Sequence, residues 1–525
     1  MEPHRKDRIV EDIVRAPFEH HRTWADSPLL KDRAFARRDV PLDRTEDIPP
    51  PEAWHDAVPE VFWDGHPDEV AAWRRAWEIC GAKVRAPEPG SGFSRNYVFT
   101  KFSGAVFVWG CCFITMFGKY GTGAFPFIRS LENFYGAQDS DGFIPRELDI
   151  RNGLSAFERD DPSSVGGDIF AWAEWQWYRL SGDKARLAAV YPHLLAYHRW
   201  IRKHRTWKDG TYFSSGWGCG MDNIPRMDST LYNECFDHGH LSFVDVTFQQ
   251  ILDARLLLRI AEAAGIETGR AELAEEAERL TRLANERMWD EEAGLYKDLD
   301  RDGNRVACQH VGSFWALLAG VAPPDRARRL LAALEDPRRF RSACGTASTS
   351  MDDPKFDPDG GCYWRGGVWC MMEYMIAEGL AACGLADAAH RLARRHVEAV
   401  TEVFRKTGTF WESYSPSAVE PGRIWGQLVR NEFVGFSGVA PIALLLEHVL
   451  GIRATVDRID WTVRLPEAHG VRSLRLGDGT LVDLECAARA TPDEPPRVTI
   501  RSSRPIPVFV NGVPASVGTP DPQRH

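Results

Sequence analysis

Between residues 66 and 451 one pattern recurs: apolar side chains return at helical spacing in twelve successive stretches. They lie near 66–85, 104–119, 123–138, 166–181, 183–206, 242–265, 270–289, 308–321, 323–335, 366–384, 386–404 and 436–451. A run of helices uninterrupted by period-two segments has to bury its apolar faces helix on helix. Two stretches, 242–265 and 436–451, are apolar nearly all round, as helices surrounded by others must be. The stretch 270–289 opens Arg270-Ala-Glu-Leu-Ala-Glu-Glu-Ala-Glu-Arg and has one broad charged face, which suits an outer position. Twelve helices of two kinds predict a mainly α chain whose six helical hairpins form an (α/α)6 barrel, inner helices ringed by outer ones. No fixed sequence period points to a repeat array instead.

A chain of 525 residues is too long for one ordinary core but fits a large toroid with appendages. Residues 1–60 are polar, contain Pro49-Pro50-Pro51 and lack any period, so they are expected to form an N-terminal arm on the barrel of 61–453. From about 455 the period becomes two, in Thr455 to Val463, Ser473 to Leu476, Thr480 to Leu484, Arg497 to Ile500 and Val508 to Gly512. With a Gly477-Asp478-Gly479 turn, this predicts a small antiparallel β appendage over 454–525. A net charge of −11 lacks the basic footprint that phosphate contacts require, so no nucleic-acid partner is expected. No long uncharged apolar run is present and the start carries charges of both signs, so neither a membrane nor a cleaved signal is expected. The 11 cysteines lack CxxC spacing, which points to reduced thiols and a cytoplasmic setting.

If outer and inner helices alternate, the loops after helices 1, 3, 5, 7, 9 and 11 emerge at one end. These loops, about 86–103, 139–165, 207–241, 290–307, 336–365 and 405–435, include several far longer than the usual ~4–6 residues, and a site is expected there. In Ser215-Gly-Trp-Gly-Cys-Gly-Met-Asp-Asn-Ile-Pro-Arg226, Asp222 sits beside Met221 and near Trp217, where partial desolvation would keep its carboxyl protonated. In Gly408-Thr-Phe-Trp-Glu-Ser-Tyr-Ser-Pro416, Glu412 sits among Trp411, Ser413 and Tyr414, whose hydroxyls suit an ionised carboxylate. Taken singly, the first is equally a turn residue and the second a cap or ion-pair partner. Together at one mouth they form the acid and base that glycosidic cleavage needs.

Around them, Gly360-Gly-Cys-Tyr-Trp-Arg-Gly-Gly-Val-Trp369 offers the Arg365 fork and the faces of Tyr363, Trp364 and Trp369 to a sugar. Trp109, Trp217, Asn223, Arg226, Trp411 and Tyr414 are further candidate sugar contacts. Arg146, from Asp141-Gly-Phe-Ile-Pro-Arg-Glu147, joins them, although pairing with Glu147 as scaffold is an equal reading. His238-Gly-His240 with Asp237 and Asp245 lacks a third nitrogen or sulfur ligand and is a weak zinc signal, so no metal is expected.

Tyr363-Trp-Arg-Gly-Gly-Val-Trp, Ser215-Gly through Met221-Asp-Asn-Ile-Pro-Arg and Phe410-Trp-Glu-Ser-Tyr-Ser-Pro resemble three signatures of the six-hairpin glycoside hydrolases. The resemblance covers roughly 60–452 and is nearest to the trehalase, processing α-glucosidase and mannosylglycerate/glucosylglycerate hydrolase group. It implies an (α/α)6 barrel, inversion at the anomeric carbon, no cofactor, Asp222 as general acid, Glu412 as general base, and Trp364 with Arg365 as substrate contacts. The expected function is an inverting exo-type hydrolase of a short or small-aglycone glycoside. A sugar epimerase on the same barrel would need paired histidines at the mouth, and an inactive carbohydrate-binding homologue would not need both carboxyls. One departure stands out: where the family has Trp-Asp-x-x-Phe, this chain reads Trp109-Gly-Cys-Cys-Phe113. Gly110 cannot accept the sugar hydrogen bonds that the Asp makes, so a shifted glycone preference and poor trehalose cleavage are expected, unless another carboxylate such as Glu147 takes its place.

Overall fold

The computed structural model describes residues 48–50, 53–100, 104–227 and 235–519, so most of the expected arm lies outside the described residues. Every one of the twelve stretches carries helix. In chain order the segments are α1 Pro67–Gly81, α2 Val108–Gly118, α3 Glu132–Gly136, α4 Phe170–Ser181, α5 Lys184–His204 and α6 Val244–Ala264. They continue as α7 Arg270–Leu283, α8 Trp315–Leu318, α9 Pro324–Glu335, α10 Cys370–Ala382, α11 Ala386–Thr407 and α12 Ala440–Val449, the last wound as a π-helix.

Two segments are shorter than expected. Both α3 and α8 are single turns preceded by 3₁₀ turns, Phe127–Leu131 and Val311–Phe314. Pro126 disfavours the helical region at Phe125 and postpones α3, while Gly320, at φ 67°, ends α8. The start of the 104–119 stretch is extended, because Ala105–Phe107 pairs antiparallel with Glu147–Asp149. The corner between α4 and α5 shows how tightly the hairpins turn. Gly182 ends α4 at φ 67°, and the adjacent Asp183 side chain accepts the Arg186 amide at 2.9 Å to start α5.

The even segments contact one another in a closed circuit: α2 with α4, α4 with α6, α6 with α8, α8 with α10, α10 with α12, and α12 with α2. Their burial matches. All ten residues of α12 and the unbroken run Val244 to Ala254 of α6 are buried, whereas α7 buries only Leu273, Glu276, Ala277 and Leu280. Among the odd segments, α1 packs on α11 and α12, α5 on α4 and α6, α7 on α6, and α11 on α10 and α12. Much of the tryptophan is core: Trp54, Trp73, Trp77, Trp315, Trp364, Trp369 and Trp461 are all under 2% exposed.

Small sheets follow the helices, with two differences from expectation. Glu60–Trp63 leaves the N-terminal side to pair antiparallel with His469–Arg475, so that sheet joins both flanks of the helical body. The second sheet is not purely antiparallel, since Ile459–Trp461 pairs parallel with Val508–Val510. All eleven cysteines are free thiols. Among the described residues, no helix is long and apolar enough to cross a membrane.

Candidate active site

The loop after α5 carries Asp222. It starts a short helical turn, Gly216–Cys219, where the Ser215 hydroxyl caps the Gly218 amide at 3.0 Å. The turn ends at Gly220, which packs on the Trp109 indole, and Asp222 follows at the rim with part of its surface still accessible. Asn223 then fastens this loop to the one before α10. Its amide donates to the Cys362 carbonyl at 3.0 Å and accepts the Trp364 amide at 2.8 Å. Arg226 anchors the loop from below, 2.7 Å from Asp245 and 2.9 Å from Asp298, with its guanidinium over Phe243. Asp298 also accepts the Val244 amide and meets His310, which ties the loop to the first turn of α6.

Glu412 comes from the loop after α11 and is 1% exposed. Arg430 holds it through contacts of 2.8 and 2.6 Å, and the Tyr363 hydroxyl donates to it at 2.8 Å. Its backbone is pinned as well, by Glu412 N to Arg430 O at 2.9 Å. Tyr363 and Cys362 both adopt positive φ, 67° and 32°, a strained arrangement for side chains with a Cβ. That bend delivers the Tyr363 hydroxyl to Glu412.

The electrostatics of the two carboxyls differ. Asp222 is pushed up to about 7, mainly by burial, with the negative charge of Glu412 adding and the positive charges of Arg146 and Arg430 opposing. Among the described residues, no side-chain donor bonds its carboxyl. Glu412, by contrast, receives a guanidinium and a phenol. Burial and the charges of Glu412 and Asp222 hold the Tyr363 hydroxyl well above its ordinary range, so it remains a donor.

The other candidates divide into those that face the carboxyls and those committed elsewhere. Arg146 bonds Glu147 at 2.6 Å and the Trp217 carbonyl at 3.2 Å, and its charge still reaches Asp222. Glu147 is fully buried, with its oxygens taken by Arg146 and the Ala156 amide, so it supplies no acceptor in place of the missing carboxylate at Gly110. Trp217 stays partly exposed beside Phe157 and Phe236. Trp364 stacks flat on Trp369 at 4.1 Å, and Tyr363 meets Trp369 edge-on at 4.8 Å. Arg365 is partly accessible and its carbonyl accepts the Asp357 amide.

Expected as sugar contacts, Asn223 and Arg226 bond to the loop before α10, to Asp245 of α6 and to Asp298, and Tyr414 is a fully buried pillar bridged to Val368. Trp411 directs its indole nitrogen to Thr407 at 3.1 Å. His238 and His240 lie against Trp207. Among the described residues, two groups gather metal-type ligands, Asp168/His198/Asp253 and Glu378/Glu447/His448. Both are charge networks: His198 contacts Asp253 and Glu276, and Glu378 contacts His448 and Arg453.

Two residues were not singled out from the sequence. Arg430 shares its long loop with Arg423 and has no local signature. Gln249 is buried in α6, and among the described residues neither amide atom has a hydrogen-bond partner.

Comparison with known proteins gives a consistent picture. The model of the mannosylglycerate hydrolase MGH1-like glycoside hydrolase domain matches residues 128–423, more than half of the chain. An uncharacterized protein of Borreliella burgdorferi is 25% identical over 70% of this chain and 76% of its own length. Mannosylglycerate hydrolase MGH1 of Selaginella moellendorffii is 29% identical over 55% of this chain and 71% of its own. The crystal structure of a GH63 mannosylglycerate hydrolase from Thermus thermophilus in complex with glucose superposes with a TM-score of 0.56. It is 22% identical, over 70% of this chain and 98% of that one.

Proposed function

Since the chain belongs to the mannosylglycerate hydrolase MGH1-like glycoside hydrolases, which cleave O-glycosyl bonds, we propose that it is an inverting, exo-acting member in which Asp222 is the general acid and Glu412 the general base. The observation that carries this reading is the contrast between the carboxyls. A group titrating near 7 is half protonated at neutral pH and suited to protonate the departing glycosidic oxygen. Glu412, held by Arg430 and Tyr363, aligns a water for attack from the opposite face of the sugar ring. As the C–O bond breaks, the leaving oxygen takes the Asp222 proton, and the water gives its proton to Glu412.

The scaffold we assign is an (α/α)6 barrel, supported by the closed circuit of even helices, with the carboxyls on loops at one end. Its body is residues 61–453, flanked by the arm 1–60 and the appendage 454–525. Asn223 and Arg226 act as supports of the Asp222 loop, while Tyr363, Trp364, Trp369, Trp217, Trp109, Arg146 and Arg365 line the sugar path. The substrate class is a small glycoside. Because Gly110 brings no carboxylate, the glycone differs from plain glucose at the hydroxyls that such a group would hold.

The test is release of reducing sugar from a panel containing mannosylglycerate, glucosylglycerate and trehalose together with α-rhamnosides and α-galactosides, with the first anomer read by NMR. Inverted product from at least one non-trehalose glycoside is expected. Retained configuration would make Glu412 a nucleophile, efficient trehalose cleavage would refute the shifted glycone, and no release from any glycoside would defeat the hydrolase assignment.

A further inference from the structure

One face of α6 carries three polar side chains a turn apart: Asp245, Gln249 and Asp253. The outer two are paired, Asp245 with Arg226 at 2.7 Å and Asp253 with His198 at 2.8 Å. Gln249 between them is 0% exposed, and neither its Nε2 nor its Oε1 has a hydrogen-bond partner among the described residues. Buried amides almost always find partners, so one left with neither its donor nor its acceptor met calls for an explanation, and a molecule bound beside it would supply both bonds.

The surroundings say which molecule. A Cβ built on Gly167 would stand 2.7 Å from Gln249 Oε1 and 2.7 Å from Trp109 Cζ3, so the amide and the indole edge flank the same stretch of backbone. On the other side, a Cβ on Gly220 would stand 3.1 Å from Trp109 Cδ2, and Gly220 lies two residues before Asp222. The indole therefore links Gln249 to the Asp222 loop, and its own Nε1 is also buried without a partner. Beside Trp109, Gly110 is partly accessible and an added Cβ would meet nothing within 4 Å. Gln249 is thus one side chain removed from the Asp222 loop, and the open space at Gly110 lies on the same first turn of α2 as the Trp109 indole between them.

We propose that Gln249 is the specificity-determining residue of the glycone pocket, its amide reading a pair of sugar hydroxyls with one donated and one accepted hydrogen bond. This rests on the glycoside hydrolase reading above. A neutral amide selects differently from a carboxylate: Oε1 takes a hydroxyl proton while Nε2 donates to a neighbouring hydroxyl oxygen, so the glycone is a neutral sugar with two adjacent hydroxyls at that depth. The open space at Gly110 leaves room beside them for a substituent larger than a hydroxyl.

The probes are α-glycosyl fluorides of mannose, glucose, galactose and rhamnose, followed by the monodeoxy fluorides of whichever sugar turns over fastest. Fluoride leaves with little help from an acid, so these probes read glycone recognition separately from Asp222. In Gln249→Leu, kcat/KM for the best fluoride should fall about 10²-fold, the scale at which an enzyme loses a substrate hydroxyl contact. The native enzyme should discriminate at least tenfold against one monodeoxy fluoride, and that ratio should collapse toward one in the variant. The variant's Tm should be unchanged or raised, because an apolar side chain relieves an unpaired buried amide. Should the leucine variant not fold, Gln249→Met, with similar reach, is judged by the same ratios. An unchanged kcat/KM, or an equal loss on parent and every deoxy fluoride, would overturn the proposal. Failure of the native enzyme to hydrolyse any fluoride would instead count against the hydrolase reading on which it rests.

Discussion

The two ends of the inner helices both hold buried polar side chains, and they treat them oppositely. At the end where α2, α10 and α12 finish, Lys119 meets Glu447 at 2.9 Å, and Tyr120 and Tyr374 donate to the same carboxylate at 2.9 and 3.2 Å. Gln176 accepts from Lys119 and donates to Glu378, which also receives His448 and both terminal nitrogens of Arg453. Every polar group in this network has a partner. At the other end Asp222, Gln249 and the indole nitrogens of Trp109 and Trp369 are buried or nearly so, yet among the described residues the last three have none. On the reading proposed above, burial of similar depth serves two purposes: a completed network locks helices together, whereas an incomplete one keeps hydrogen-bonding capacity for a ligand.

The largest separation between the ends comes from Asp222→Asn. It removes the transferable proton at constant size, so kcat on an unactivated glycoside should fall by about 10²–10⁴-fold. The same change should stabilise the fold. A carboxyl whose native value is raised to about 7 contributes stability below its unfolded value near 4, and that contribution is lost as pH rises through about 7. Asparagine never ionises, so the gain in Tm should be larger at pH 8 than at pH 5. A variant that loses less than tenfold in rate, or that is less stable at pH 8, would put the acid elsewhere.

Glu447→Ala probes the completed end. It strands Lys119 and two tyrosines, and removal of one partner from a buried ionic network costs about 3–5 kcal/mol. Urea denaturation should register that loss while kcat per folded molecule stays within about twofold, because the network lies away from the carboxyls. A smaller effect is expected for Tyr363→Phe, which leaves the Arg430 contacts and removes one donor from Glu412: kcat lowered roughly tenfold, KM little changed and Tm nearly constant. A change confined to KM would move Tyr363 from the base to the sugar.

How far the sequence foretold this comparison depends on the range of the interactions involved. Helical periodicity is local, so all twelve helical stretches were legible, and alternation alone put Asp222, Tyr363 and Glu412 on loops after odd helices. Pro126 and the left-handed Gly320 shortened α3 and α8 within those stretches. The partners that distinguish the two ends were hidden, because they are not local. Tyr120 and Glu447 are 327 residues apart, and Arg430 gains meaning only from folding against Glu412. Gln249 sits in an otherwise well-packed helix, where only the absence of a partner sets it apart from Gln250, which donates to Asp168 at 3.1 Å. Likewise, Glu60–Trp63 carries no sign that its partner strand begins at His469.

The central claim, that a protonated Asp222 delivers the proton in glycosidic cleavage, is tested most directly by comparing pH profiles of kcat/KM for an O-glycoside and for the α-glycosyl fluoride of the same sugar. The O-glycoside profile should fall on its alkaline side with an apparent pKa of about 7, and that limb should be absent for the fluoride, whose departure needs no acid. The same alkaline limb for both substrates, or for neither, would contradict the assignment.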